Sequence, residues 1–203
     1  MKKILILFAH PAQEKSEVNV PLIEAAQKLD HVTVVDLYGE YPKFRINIER
    51  EQQRLIEHDV IVFKFPFYWY STPAILKEWQ DLVLEHGFAY GGGANALHGK
   101  SFLCALSAGG PESAYQTEGF NHFTVRDLLH PLEQTANLCG MTYLAPFVIF
   151  SARTAAEEHR LSKHRQDFVD LLTALRDETI DTHALSQAPL ITENLSTFLR
   201  GSP

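Results

Sequence analysis

The sequence predicts a doubly wound α/β fold with a parallel sheet. Five short apolar or β-branched runs alternate with longer amphipathic stretches. Helix start and stop signals fall between them, and neither a linker nor an internal repeat interrupts the order. The 203 residues suffice for one domain with a sizeable core.

Lys3–Phe8 is a continuous apolar run, as expected of a central parallel strand. Ser16 is placed to cap the next helix, which carries Leu22, Ile23, Ala26 and Leu29 on one face. Val32–Asp36 is the second strand and Ile48–His58 a charged helix. Residues 59–65, DVIVFKF, form the third strand. Thr72-Pro73 opens a helix to about Glu85, with proline at the first helical position where no N–H is required. Gly87–Gly99 is a loop, Ser101–Ser107 the fourth strand and Ala108–Asn121 a second long loop. Thr124–Leu138 is expected to be helical and to end at Gly140, a C-cap glycine. Thr142–Phe150 is the fifth strand and Thr154–Arg176 the last helix. The expected division is a domain over 1–178 and a tail of uncertain order over 179–203.

The turn after the first strand lacks G-x-G-x-x-G, which disfavours a dinucleotide-binding sheet. The expected fold class is therefore a flavodoxin-like five-stranded parallel sheet, order 2-1-3-4-5, with helices on both faces. Ligands of such sheets bind outside the carboxyl ends of the strands at the switch point.

Composition narrows the function. Apolar residues make up 45% and charged residues 21%, values of a globular chain. A net charge of −7 argues against nucleic-acid binding, which needs excess cations, and against adsorption to anionic lipid. No apolar run is long enough to span a membrane. The basic start Met1-Lys2-Lys3 is followed by too short an apolar segment for a signal peptide. A cytoplasmic location follows as the expectation. Cys104 and Cys139 have no CxxC or Cys/His spacing and read as buried thiols in a reducing compartment. His159 and His164, five apart, lie on different helical faces, and no metal site is expected.

Three loops meet at the predicted switch point. The first, Ala9 to Asn19, offers His10, the Ser16 hydroxyl, the Asn19 amide and free N–H groups at a helix start. These suit a phosphate, although the loop reads equally as a capped helix beside an incidental histidine. The second contains Phe67-Tyr68-Trp69-Tyr70. Four consecutive aromatics at a strand end cannot all enter the core; they line a cleft for a flat conjugated ring or form a hydrophobic helix entry. The third runs from Ser107 to Tyr115. Gly109 and Gly110 allow close backbone approach, and their N–H groups with the Tyr115 hydroxyl can stabilise charge on a heteroaromatic carbonyl. Its alternative is a flexible turn.

These residues resemble the flavin-dependent NAD(P)H quinone reductases of the DT-diaphorase type, and among them the bacterial ancillary proteins of glutathione-gated potassium-efflux systems. The resemblance rests on ILILFAHP with Ser16 and Asn19, DLY at 36–38, YP at 41–42, DVIVFKFPFYWYSTPAILKEW, HGFAYGGGANALHGK, SAGGPESAY and HPLEQTANLCGMTYLAPFVIF. It covers roughly residues 1–175 in order and spacing.

The resemblance implies FMN (alternatively FAD), with its phosphate at His10, Ser16, Glu17, Val18 and Asn19. The ring would lie against Phe67, Tyr68, Trp69 and Tyr70, with its pyrimidine edge at Ser107, Ala108, Gly109 and Gly110. Tyr115 matches a tyrosine that helps stabilise the reduced, anionic flavin. A ping-pong hydride transfer from NAD(P)H to a quinone is implied. So are a homodimer, for which the aromatic loop and the stretch around Phe88 and Tyr90 also speak, and association with a potassium/proton antiporter at the inner membrane face. A regulatory subunit and a flavin-free interaction module are the rival readings on the same fold.

Four departures from the family pattern stand out. Glu17 puts a carboxylate beside the phosphate position. Lys64 stands where glutamine is common. Ser107-Ala108 replaces Thr-Thr. Asn121 occupies the place of a catalytic histidine, with His122 next to it.

Overall fold

The computed structural model describes residues 1–191 and 194–199. The chain folds as β1 (Ile4–Phe8), α1 (Asn19–Ala26), β2 (Val32–Asp36), α2 (Leu37–Glu40), α3 (Ile48–Glu57), β3 (Val60–Pro66), α4 (Ala74–Val83) and β4 (Ser101–Ser107). It continues as α5 (Val125–Leu128), α6 (His130–Leu138), β5 (Thr142–Tyr143), β6 (Phe147–Ile149), α7 (Arg160–Asp177) and α8 (Thr182–Gln187).

All strands pair in parallel, in the order β2-β1-β3-β4-β5, with β6 also on β4. This is the flavodoxin-like order expected from the sequence. β1, β3 and β4 are buried along their whole length. One sheet face, with Leu5, Leu7, Ile61, Phe63, Phe102 and Cys104, packs on α3, α4 and α6. The other, with Ile4, Ile6, Phe8, Val60, Val62, Leu103 and Ala105, packs on α1, α7 and α8. The period-2 alternation of a strand assigns these faces.

The structure corrects several boundaries. The fifth strand is two short ones, because Ala145-Pro146 leaves the ladder, the Ala145 N–H turning to Leu185 O; proline has no N–H to donate there. The helix expected over 124–138 breaks at Leu129 into α5 and α6, since Pro131 removes a helical donor and its ring crowds the preceding turn. Thr124 starts α5 with a reciprocal capping box to Asp127. Pro73 is the N-cap of α4 rather than its first helical residue. The last helix begins at Arg160, not Thr154. The turn before it tucks Ala155 against Val18 and Ile149, and His159 enters the helix at φ 57°.

Gly140 ends α6 as expected. At φ 70° its N–H donates to Asn137 O and that of Met141 to Ala136 O, a Schellman closure. Beyond α7, the described part of the segment from 179 packs on the sheet through Ile180, Leu185, Ile191 and Leu195. Ile191 bridges Phe147 at the sheet edge.

Candidate functional site

The carboxyl ends of β1, β3 and β4 open into a cleft of about 660 Å³. Its walls contain His10, Ser16, Glu17, Val18 and Asn19 from the first loop. Phe67, Tyr68, Trp69 and Tyr70 come from the second, and Ser107, Gly109, Gly110 and Tyr115 from the third. Ala108 is the exception among the sequence candidates. It is fully buried, its N–H donates to Ile149 O at 2.9 Å and its carbonyl accepts from Ala152 at 3.0 Å, so β6 and the loop after it engage its backbone.

Lys15, Pro66, Ala152 and Arg153 also line the cleft and were not foreseen. Lys15 adjoins Ser16 and lay within reach of the sequence reading. Ala152 and Arg153 come from the loop after β6, which falls inside the expected strand-to-helix passage. That loop is tied to the glycine loop by the Ser151 N–H on Gly110 O at 2.9 Å.

The first loop holds its shape through Ser16, whose Oγ accepts from the N–H groups of Asn19 (3.1 Å) and Val20 (3.3 Å). This cap leaves the N–H groups of Glu17 and Val18 without an acceptor among the described residues. His10 Nδ1 accepts from the Ala12 N–H at 3.2 Å, which leaves Nε2 as the protonated nitrogen. Burial, then Lys64, hold the His10 imidazolium below the ordinary histidine range, with Glu14 opposing.

The aromatic loop turns between Tyr68 and Ser71. The Ser71 N–H donates back to Tyr68 O at 3.1 Å, while Trp69 and Tyr70 take φ of 49° and 62°. Both central residues of this turn are left-handed, the geometry of a type I′ turn. It turns Phe67 inward and leaves Trp69 92% exposed. Again the N–H groups of Trp69 and Tyr70 find no acceptor among the described residues.

In the glycine loop, a Cβ on Gly109 would meet nothing within 4 Å and one on Gly110 would touch the Tyr115 ring at 3.4 Å. A side chain at Gly109 would thus stand in the open space beside the cleft rather than in protein. Tyr115 is wedged between Phe67 and Phe150, with ring centroids at 6.3 and 5.6 Å. Burial, then Tyr70, push its hydroxyl above the ordinary tyrosine range. It stays protonated, a hydrogen-bond donor, at neutral pH.

Asn121 does not line the cleft. Its Oδ1 accepts from the Tyr70 hydroxyl at 3.0 Å and so ties the third loop to the second. His122, at φ 60°, lies outside the cleft as well. Phe88 and Tyr90 are half-buried against the core beside α4, where Tyr90 meets His86 edge to face, and so do not form an exposed aromatic surface. Among the described residues the exposed aromatics are Trp69, Phe120 and Phe123, with part of Phe44, Tyr68 and Tyr70.

The arrangement fits a planar ring bearing an anionic tail. Six open N–H donors (Glu17, Val18, Trp69, Tyr70, Gly109 and Gly110) surround one cleft with aromatic walls, and a neutral tyrosine hydroxyl stands at its glycine end. Among the described residues there is no cluster of His, Cys, Asp or Glu able to hold a metal ion, and no helix long and apolar enough to cross a membrane.

Residues 2–172 match a family described by its flavodoxin-like fold. The ancillary protein KefG of the glutathione-regulated potassium-efflux system of Serratia proteamaculans is 48% identical over 170 residues, 84% of this chain and 92% of that protein. General stress protein 14 of Treponema denticola, solved in complex with FMN, superposes with a TM-score of 0.80 at 36% identity, covering 85% of this chain and 99% of that one. An NADPH-quinone reductase of P. pentosaceus gives 0.71 at 32% identity, over 81% and 96% of the two chains.

Proposed function

The chain belongs to the flavodoxin-like NAD(P)H quinone oxidoreductase family, and on that premise we propose that it binds FMN in the cleft and transfers hydride from NAD(P)H to a quinone. The observation that carries the reading is the ring of open backbone donors around an aromatic-walled cleft. FMN bound there supplies the two-electron chemistry that side chains lack.

The chain's own groups bind, orient and stabilise. The Glu17 and Val18 N–H groups, with Ser16 and Asn19, would receive the phosphate; Glu17 itself is exposed. Phe67 and Tyr68 to Tyr70 exclude water from the ring faces. The Gly109 and Gly110 N–H groups and the Tyr115 hydroxyl line the cleft together and would stabilise negative charge on the pyrimidine edge of a ring held there. Donors fixed in an apolar surround are worth more there than in water. The nicotinamide and the quinone use the same open side of the cleft in turn, a ping-pong order. Exposed Trp69, Phe120 and Phe123 beside that opening suit a homodimer interface.

The likeness to KefG favours a second role, as a peripheral partner of a potassium/proton antiporter at the inner face of the membrane. The absorption spectrum of the purified protein, taken before and after anaerobic NADH, tests the first reading. A flavin spectrum that bleaches on reduction, with FMN identified by mass, is expected. Loss of all flavin, or FAD alone, overturns it. Enrichment from antiporter-bearing membranes over an unrelated flavoprotein tests the second.

A further inference from the structure

Lys64 occupies a place with little to hold a lysine. Strand alternation puts Val60, Val62 and Lys64 on the face covered by α1 and α7, in one row with Phe8, Ala105 and Phe147. The side chain is wholly buried. Its amine donates to Asn19 Oδ1, a neutral acceptor. Among the described residues no carboxylate forms an ion pair with it.

The groups that face it do not compensate its charge. From the end of β1 comes His10, itself near Glu14. From α7 comes buried His164, stacked on Phe147 at 4.3 Å, with Arg160 and Lys163 behind it. Those two cations already pair with Glu158 and Asp167. Burial, then Lys64, hold both histidines neutral, His164 down to about 3. Burial also brings Lys64 down to about 7. An ammonium in such a place asks for an anion.

Asn19 connects this amine to the cleft. Its Oδ1 accepts from Lys64, and its Nδ2 donates to Ser107 Oγ at 2.9 Å. Both Asn19 and Ser107 line the cleft, beside the open N–H groups of Glu17 and Val18.

We propose that Lys64 is the buried counter-charge for a phosphate dianion seated on the loop after β1, and that a proton from solvent is taken up at its amine when that phosphate binds. The inference rests on the FMN reading above and adds a regulation to it. A dianion favours the ammonium form of a neighbouring amine. Below neutrality the amine is already protonated and binding takes up no proton there. Above it, binding must draw the proton in, so affinity falls as pH rises.

Calorimetric titration of the flavin-free protein at pH 8, in two buffers of different ionisation heat, counts the protons. FMN should bring in about one proton, and riboflavin, which lacks the phosphate, none. From pH 7 to 9 the Kd for FMN should weaken by up to about tenfold per pH unit in the wild type. It should stay flat in Lys64→Met and Lys64→Gln, whose retained riboflavin affinity reports an intact cleft. FMN binding to the wild type without proton uptake, or equal uptake by a folded Lys64 variant, overturns the inference alone. Failure of FMN to bind at any pH overturns the FMN reading together with it. Should neither variant fold, the wild-type proton count with FMN against riboflavin decides.

Discussion

Two fully buried charged side chains sit on opposite faces of the same sheet and are treated in opposite ways. Glu51, on the α3–α4 face, is enclosed by donors. Its carboxylate accepts from the Tyr41 hydroxyl, from Trp79 Nε1 at 3.0 Å and from Arg54, its ion-pair partner. Lys64, on the α1–α7 face, has one amide oxygen. Removing an ion from water costs several kcal/mol, and only a full set of partners offsets that. Glu51 has such a set inside the protein and stitches α2, α3 and α4 together. Lys64 lacks one and lies one amide away from a cleft suited to an anion. The contrast separates a charge that serves the fold from one that serves a ligand.

The largest expected effect breaks the first half of the comparison. Glu51→Ala orphans the Trp79 N–H, leaves the Tyr41 hydroxyl only its contact with Arg50, and reduces Arg54 to its longer pairing with Glu40. It should destabilise the protein by about 3–5 kcal/mol in urea unfolding. The folded fraction should still bind FMN with unchanged affinity. A loss below about 1 kcal/mol means that Glu51 is not an anchor.

A cleft residue should show the reverse pattern. Tyr115→Phe removes the protonated donor beside Gly110, and flavin reduction by NAD(P)H in rapid mixing should slow about 10- to 1000-fold. The midpoint of unfolding should barely move. His122→Ala, outside the cleft, should leave the rate unchanged, and a large loss there would transfer the role to His122.

The pH dependence of stability sharpens the second half. The Lys64 amine holds about 7 in the folded chain, against about 10.4 unfolded. Between those values the unfolded state binds more protons, so stability of the flavin-free protein rises with pH across that window and is flat below it. From pH 7 to 9 this group should contribute on the order of 2 kcal/mol. In Lys64→Met that rise should vanish, and the variant should be the more stable below pH 7. Parallel thermal unfolding curves for the two proteins would contradict it.

Ser16 belongs to both categories and should show the smallest change in each. Ser16→Ala loses the cap on Asn19 and Val20 and the hydroxyl offered to the phosphate. It should cost about 1 kcal/mol of stability and about 1–2 kcal/mol of FMN affinity. Thermal unfolding and fluorescence titration separate the two losses.

Much of this was legible in the sequence because strand periodicity and loop chemistry are local. β1, β2 and β4 fall where their apolar runs lie, and the loop after β1, the aromatic loop and the glycine loop stand at the strand ends that topology brings together. Pro146 and Pro131 carried the breaks at the fifth strand and at Leu129 in plain view, and the runs around them masked it. Other features need the fold. Ile48–His58 reads as a charged helix, and nothing in its spacing marks Glu51 as wholly buried. The alternation of β3 gives Lys64 a face but not Asn19 as its partner, which is 45 residues away. Arg153 reaches the cleft only because the segment before α7 is a turn rather than helix.

The turn at Trp69 and Tyr70 has a consequence for engineering. Each residue sits in a backbone region that costs an L side chain roughly 1–2 kcal/mol and would cost glycine almost nothing. An Asn-Gly pair would suit this turn far better. The chain therefore forgoes a few kcal/mol of easily gained thermostability to keep two large rings at the cleft mouth. A search for hardier variants guided by stability alone would favour such a pair at this turn, and it would select against the two rings at the cleft mouth as it did so.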